Sequence, residues 1–532
     1  MAVIWLRRLI ILTTLVILAS FTAWAVPRYL DPTEPNAEKR ARDRRWVSSS
    51  HYFLDRQACR WISLCGLHHL RKDPPALDGL VDGFWEENDK IRGELRKRAT
   101  NWEDDEPPRA DKKRDRHERR RVLKEIPDYV NQYAPLVHLY SGEEFWPSDI
   151  KEHVQHMTVY VDGKPLNKTE TPWSLSNLHQ LNKLGGSVVL RSNDDVEQRP
   201  DWLHSHDSIP TPFEEDPSVG IAPPHKHKSG DLPIDRESTT WYDVDKAHPL
   251  HRISDPRKTP RSLPSDLQQA KRLTTRGHKP DADGYSAAPA VLVVVDKGSG
   301  IVDAFWFFFY SYNLGQTVLG VRFGNHVGDW EHCMVRFENG VPRGMYFSEH
   351  EGGQAYAWEA MEKSSDGRPI IYSAVGSHAM YPLPGPHPYI IPFDLLRDIT
   401  DKGPLWDPAL NKYAYHYDYT RESFDRNPDT TPEIPPEDTL LNQQTAFPHH
   451  ESRSLVPAAE NPSAPTSWFH FSGRWGDEVY SLADIRQWRL FGQYHYVTGP
   501  DGPKFKSLNR STLCQLEKCR IAYKLDPKGT WY

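Results

Sequence analysis

Cysteine is scarce, with five in 532 residues. Neither close pair, Cys59 with Cys65 nor Cys514 with Cys519, has the C-x-x-C spacing of a zinc cage, so two local disulfides are the expectation. Cys333 is left over and is expected to pack as a free thiol. Charge of one sign is not in large excess either: 66 Lys and Arg face 73 Asp and Glu, a net charge of -7. With no helix-turn-helix or zinc-finger spacing, that excludes a nucleic-acid partner. No short-period repeat appears, which removes solenoids and propellers. "VGSHA" (Val375–Ala379) lacks the G-x-S-x-G elbow, which argues against serine hydrolase chemistry at Ser377. Apolar residues are only 38% and prolines number 45, enough for one core plus long segments that cannot bury themselves.

One long uncharged run stands out. Arg7 and Arg8 precede "LIILTTLVILASFTAWAV", Leu9 to Val26. At the helical rise it spans roughly 27 Å, close to the hydrocarbon thickness of an endoplasmic reticulum membrane. An uncleaved signal-anchor is the expectation, with cleavage after the A-x-A-like Ala23-Trp24-Ala25 and secretion as the rival. Either route carries the bulk into the secretory pathway. The expected location is therefore the endomembrane system or vacuole, as a single-pass protein with a lumenal C-terminal portion. The sequons at Asn167 and Asn509 agree with that side. The membrane is the first expected partner, and no protein partner can be read.

Residues 31–126 are rich in charge. Within "RADKKRDRHERRRVLK" (Arg109–Lys124) the interspersed acids favour a solvated helix or stalk over an anionic-lipid or nucleic-acid patch. From 127 to 500 the chain reads as a β domain, interrupted by irregular inserts at about 199–285 and 427–465. Residues 501–532 read as a tail. "AAPAVLVVVDKG" and the aromatic "VDAFWFFFYSYN" read as interior strands, and Asn339-Gly340 closes a hairpin between "DWEHCMVRFE" and "VPRGMYFSEH". The predicted fold is mainly β: an antiparallel sandwich with helical additions, long inserts and an N-terminal transmembrane segment.

"GNHVGDWEHCMVRF" (Gly324–Phe337) carries the chemistry. Strand alternation puts Asp329, Glu331, Cys333, Val335 and Phe337 on one face and Trp330, His332, Met334 and Arg336 on the other. Two neighbouring anions need a proton or a cation between them. A divalent ion held by His326, Asp329 and Glu331 would meet that need, and its oxygen-rich ligand set suits Mg, Ca or Mn. The competing reading is a solvated polar edge. Glu349 and His350 suggest an acid/base pair or a supporting shell, and His378 a further ligand or a turn histidine. Asp477, in the Trp475-Gly476-Asp477 turn, is an outside candidate for another carboxylate.

These stretches, with "SEHEGGQAYAWEA", "RPIIYSAVGSHAMYP" and "YAPLVHLYSGEEFWPSD", resemble the fungal vacuolar protein sorting-associated protein 62 family across about 127–192 and 285–495. The resemblance implies a link to vacuolar targeting and brings no established biochemical activity. H-x-x-D-W-E-H is also similar to the heptad of the necrosis- and ethylene-inducing peptide-like cytolysins. That likeness implies a β-sandwich and a cation on His326, Asp329 and Glu331 that docks a sphingolipid headgroup. It also implies a further upstream acid, where this chain has only Asn313, and a second heptad histidine, where it has Gly328.

The leading expectation is thus a non-enzymatic membrane protein whose cation site recognises a lipid or glycan headgroup. A metal-assisted or paired-carboxylate hydrolase on the same residues, with His350 or His378, is the alternative. A scaffold in which these groups are structural is the third.

Overall fold

Runs of apolar residues that do not alternate with polar ones belong to strands buried on both faces. The computed structural model bears this out for the two longest. It describes residues 2–30, 36–71, 123–166, 172–203, 278–318, 320–349, 352–388, 397–422, 454–515 and 520–525. Five strands follow one another as an antiparallel meander: β1 (Ala290–Gly298), β2 (Ile301–Asn313), β3 (His326–Glu338), β4 (Val341–Glu349) and β5 (Gly352–Ala357). The β3–β4 turn is Asn339-Gly340, with both residues at positive φ, +52° and +77°, as a primed hairpin turn requires.

The sheet does not stop there. Lys412–Tyr417 pairs parallel to β1 and is edged by Leu455–Pro457, while Ile521–Ala522 pairs parallel to β5. The sheet is therefore mixed, which differs from the antiparallel sandwich expected. Parallel neighbours join strands far apart in sequence, a pairing that local pattern does not encode.

Alternation along β1–β3 then divides two cores. Val293, Phe305, Phe307, Phe309, Trp330 and Met334 face one way, packing with Leu190, Trp468 and Trp475. That side is covered by the small sheet of Met157–Val161, Val188–Ser192 and Lys164–Pro165. Leu292, Val294, Trp306, Phe308, Cys333, Val335 and Phe337 face the other way, against Val137, Ile371, Met380 and Trp406. Their cover is a four-stranded sheet ordered Met380–Tyr381, Ile370–Ser373, Leu136–His138, Leu405–Trp406. Each large side chain so buried contributes about 1.5–3 kcal/mol of transfer free energy. Cys333 is a buried free thiol.

Arg368 clamps this covering sheet. Its Nη atoms donate to both oxygens of Asp407 at 2.6 Å, and its Nε to the Ala134 carbonyl at 2.9 Å. Arg368→Ala is expected to cost about 2–4 kcal/mol, since it strands a half-buried carboxylate and a carbonyl. Arg368→Lys should recover little, because an ammonium does not reproduce the fork. Thermal melting of the two variants checks this, and a lysine variant equal to wild type refutes it.

Outside the sheets, α2 (Ala37–Ser48) and α3 (Phe53–Ile62) fold onto the body. Trp46 Nε1 donates to the Tyr480 carbonyl at 2.8 Å, Leu64-Cys65 pairs with Arg489-Leu490, and Cys59 is bonded to Cys65. The most basic stretch, residues 109–122, lies outside the described residues. Before them α1 runs unbroken over Ala2–Leu30, with apolar side chains such as Leu9, Ile11, Leu15, Leu18 and Phe21 exposed. Among the described residues no helix is long and apolar enough to cross a membrane, so the expected single-pass span is not supported.

Candidate functional site

The site begins where β3 begins. Gly328 has φ +68°, and a Cβ there would lie 2.3 Å from the Trp475 carbonyl oxygen. No side chain fits, which explains the glycine at this position. Beyond it the strand alternates as the sequence implies. Asp329 and Glu331 share the face of Cys333 and Val335, toward the four-stranded covering sheet, and are only 4% and 7% exposed.

His378 comes from that covering sheet, in the turn between Ile370–Ser373 and Met380–Tyr381. It sits at φ +54°, a conformation rare for a side-chain-bearing residue, with its N–H donating to the Ala374 carbonyl at 3.0 Å. Its ring lies flat on Tyr310, centroids 3.6 Å apart. Nδ1 is 3.0 Å from Asp329 Oδ2, and Nε2 is 3.2 Å from the Phe145 carbonyl and 3.6 Å from Glu143 Oε1. Every one of these partners is an acceptor, so both nitrogens carry protons and the ring is an imidazolium. Burial alone lowers its pKa, but Glu143 and the hydrogen bond to Asp329 outweigh it and push the value up to about 9. Glu143 is held in turn by three backbone N–H groups, from Glu144, Phe145 and Gly376, each at 2.9 Å. A buried carboxylate–imidazolium–carboxylate chain thus ties β3 to the loop after Leu136–His138 and to the 374–378 turn.

Glu331 accepts from Ser348 Oγ, which itself accepts from the His332 N–H at 2.8 Å. Nearby Glu349 has a buried Oε1 without a hydrogen-bond partner among the described residues. Burial, then Asp398 and Glu331, raises its pKa well above the ordinary carboxylate range. Asp398 accepts from Ser377 Oγ at 2.8 Å, Tyr381 Oη at 2.7 Å and Gln316 Nε2 at 2.9 Å.

His326 points its Nδ1 at the Gly328 carbonyl, 2.7 Å away, so Nδ1 carries the proton and Nε2 keeps a lone pair. Burial lowers its pKa, favouring the neutral ring. Asn313 is its cross-strand neighbour and donates to the Gly324 carbonyl at 3.0 Å. The structure therefore gathers Asp329, Glu331, His378 and Glu349 in one region and sets Asn313 beside His326. It does not bring His332 or Asp477 there. His332 is on the opposite face, between Phe305, Phe307 and Tyr346, while Asp477 accepts from the Ser192 N–H and the Tyr480 hydroxyl. His350, Asn167 and Cys519 lie outside the described residues. Cys514 is disulfide-bonded, and Asn509 is exposed on a turn.

Hard oxygen donors suit Mg, Ca or Mn, but among the described residues no three His, Cys, Asp or Glu side chains converge as metal ligands do. The protein side chains described here do not close a cage by themselves. Glu143, Ser348, Tyr310 and Asp398 were missed by sequence reasoning. The signal for Glu143 was the acidic pair following Ser141-Gly142, a turn that places backbone donors beside a carboxylate.

The model of the vacuolar protein sorting-associated protein 62 family matches residues 291–389, the meander and the His378 turn. The putative vacuolar protein sorting-associated protein TDA6 of Saccharomyces cerevisiae is 34% identical over 426 residues, covering 73% of this chain and 68% of that protein. Vacuolar protein sorting-associated protein 62 of the same yeast is 32% identical over 418 residues, again 73% and 68%. Among solved structures, necrosis and ethylene inducing protein 2 from the agent of cocoa's witches' broom disease is 19% identical over 18% of this chain and 45% of that one. Its TM-score of 0.14 is too low for the likeness to carry any argument.

Proposed function

The chain belongs to the vacuolar protein sorting-associated protein 62 family, and from that premise we propose a non-enzymatic, membrane-attached protein of the vacuolar or wider endomembrane route. The observation that carries the non-enzymatic reading is the engagement of His378. An imidazolium donating at both nitrogens has no lone pair with which to take a proton, so it cannot be the general base of the hydrolase alternative, and its protons are held by buried protein acceptors. Attachment is assigned to α1, whose apolar side chains Leu9, Ile11, Leu15, Leu18 and Phe21 are exposed, a state that water disfavours and lipid relieves. The exposed Asn509 sequon supports a lumenal body.

The cation belongs to the same reading. Asp329 and Glu331 offer two carboxylates on one face of β3. Oxygens of a lipid or glycan headgroup would complete the shell, as substrate oxygens do where a protein supplies one or two carboxylates. Full-length protein in detergent should melt higher with millimolar Mg, Ca or Mn, by about 2–3 kcal/mol at a hundredfold excess over Kd. Asp329→Asn with Glu331→Gln should erase that response. If no ion moves the wild-type midpoint, the cation reading falls and the membrane and sorting readings stand. Those are tested separately, by recovery of the tagged chain with sedimented membranes and by missorting of a soluble vacuolar hydrolase when the chain is deleted.

A further inference from the structure

Resting on the reading of α1 as a membrane attachment, we propose that α3 is a second membrane-contact element: its exposed face lies in the headgroup region of a phospholipid surface, and the arginines of α2 meet the lipid phosphates.

The helix is two-sided. Asp55 and Cys59 point inward, where Asp55 Oδ1 accepts from the Gly66 N–H at 2.7 Å and Cys59 is bonded to Cys65. On the outer side Phe53, Leu54 and Trp61 are 63%, 79% and 79% exposed, with Tyr52 and Ile62 beside them. Leu54 and Trp61 are two turns apart and so lie on one stripe. Scattered single apolar residues need no explanation, but a contiguous patch of this size on a ten-residue helix does.

Three observations select lipid as the occupant. First, α1 packs against α3, so a surface that takes the apolar α1 is brought up to the α3 face. Second, the composition is that of an interfacial belt, and Trp61 Nε1 already donates to Gln57 Oε1 at 3.1 Å. The indole therefore enters the interface without giving up a hydrogen bond. Third, Arg40, Arg42, Arg44 and Arg45 of α2 are exposed, whereas Asp43 is occupied by Arg489. The exposed charge of α2, four arginines against Glu38, is net positive and matches phosphate. Because α2 and α3 are fixed to the body by Trp46 and by the strand pairing of Leu64-Cys65, contact at α3 sets how the β-sheets stand relative to the membrane.

The test uses the full chain reconstituted into phosphatidylcholine–phosphatidylserine vesicles, with an environment-sensitive fluorophore on Leu54→Cys, Leu15→Cys or Val341→Cys. Val341 is an exposed residue at the β3–β4 turn. The expected result is a blue shift at positions 54 and 15 and none at 341. A shift at 15 without one at 54 overturns the α3 proposal and leaves α1 standing. A shift at 54 without one at 15 removes the α1 attachment and supports the α3 contact. A shift at all three positions, or one at 54 that grows with protein density at fixed lipid, indicates adsorption or a second copy and overturns the assignment.

Discussion

His378→Ala is expected to lower the stability of the protein by about 3–5 kcal/mol, because it leaves Asp329 and Glu143 buried without their shared counter-ion. The same group gives a pH signature. Its folded pKa of about 9 lies above the ordinary value of 6.5. A group raised on folding contributes fully below its unfolded pKa and loses that contribution as pH rises through the folded one. The wild type should therefore hold this increment below about pH 6.5, shed it progressively, and lack it above about pH 9. The full increment is about 3 kcal/mol. Thermal midpoints of wild type and variant across this range check it: their difference should shrink as pH rises. A difference that is constant with pH would mean the ring is neutral at every pH tested. Combining His378→Gln with Asp329→Asn should recover part of the loss, since two neutral amides can hydrogen-bond where one bare carboxylate cannot.

Gly328→Ala is expected to be of similar size, about 3 kcal/mol, from two sources that add. The residue has φ +68°, which costs an L side chain about 1–2 kcal/mol. Its new methyl would also meet the Trp475 carbonyl oxygen at 2.3 Å, where the obstacle is backbone rather than a side chain that swings aside. Gly163 is the control. It has φ +76° but nothing within 4 Å, so Gly163→Ala should cost only the conformational part. Equal midpoints for the two variants would show that the Trp475 approach contributes nothing. Since Gly328 precedes Asp329, its replacement should also disturb the Asp329–His378 bond and shift the pH profile of the wild type.

Much of the centre of the fold was legible locally. Burial on both faces removes the polar alternation from a strand, so "AAPAVLVVVDKG" and "VDAFWFFFYSYN" announced interior positions without any knowledge of what covers them. Asn339-Gly340 announced its hairpin because few other pairs tolerate two positive φ angles. The face shared by Asp329 and Glu331 followed from the two-residue period alone. The six-residue separation of Cys59 and Cys65 suggested a bridge that is formed.

The partners of those carboxylates were not legible. Asp329 is answered by His378 because Ile370–Ser373 pairs parallel with Leu136–His138, and that pairing lays a second sheet over the start of β3. Glu143 arrives from the loop that follows the same edge. No periodicity encodes a parallel pairing between segments so distant, and the ion chain exists only once it has formed.

The sequence by itself determined which strands are interior, where the main hairpin turns and which side of β3 bears its acids, since all three follow from contacts between near neighbours in the chain. Only the tertiary structure decided that the central sheet is mixed, that His378 is the cation Asp329 meets, and that the apolar outer face of α3 is exposed among the described residues. Those depend on which distant segments dock together, and docking is settled by the summed burial of whole surfaces rather than by any local pattern.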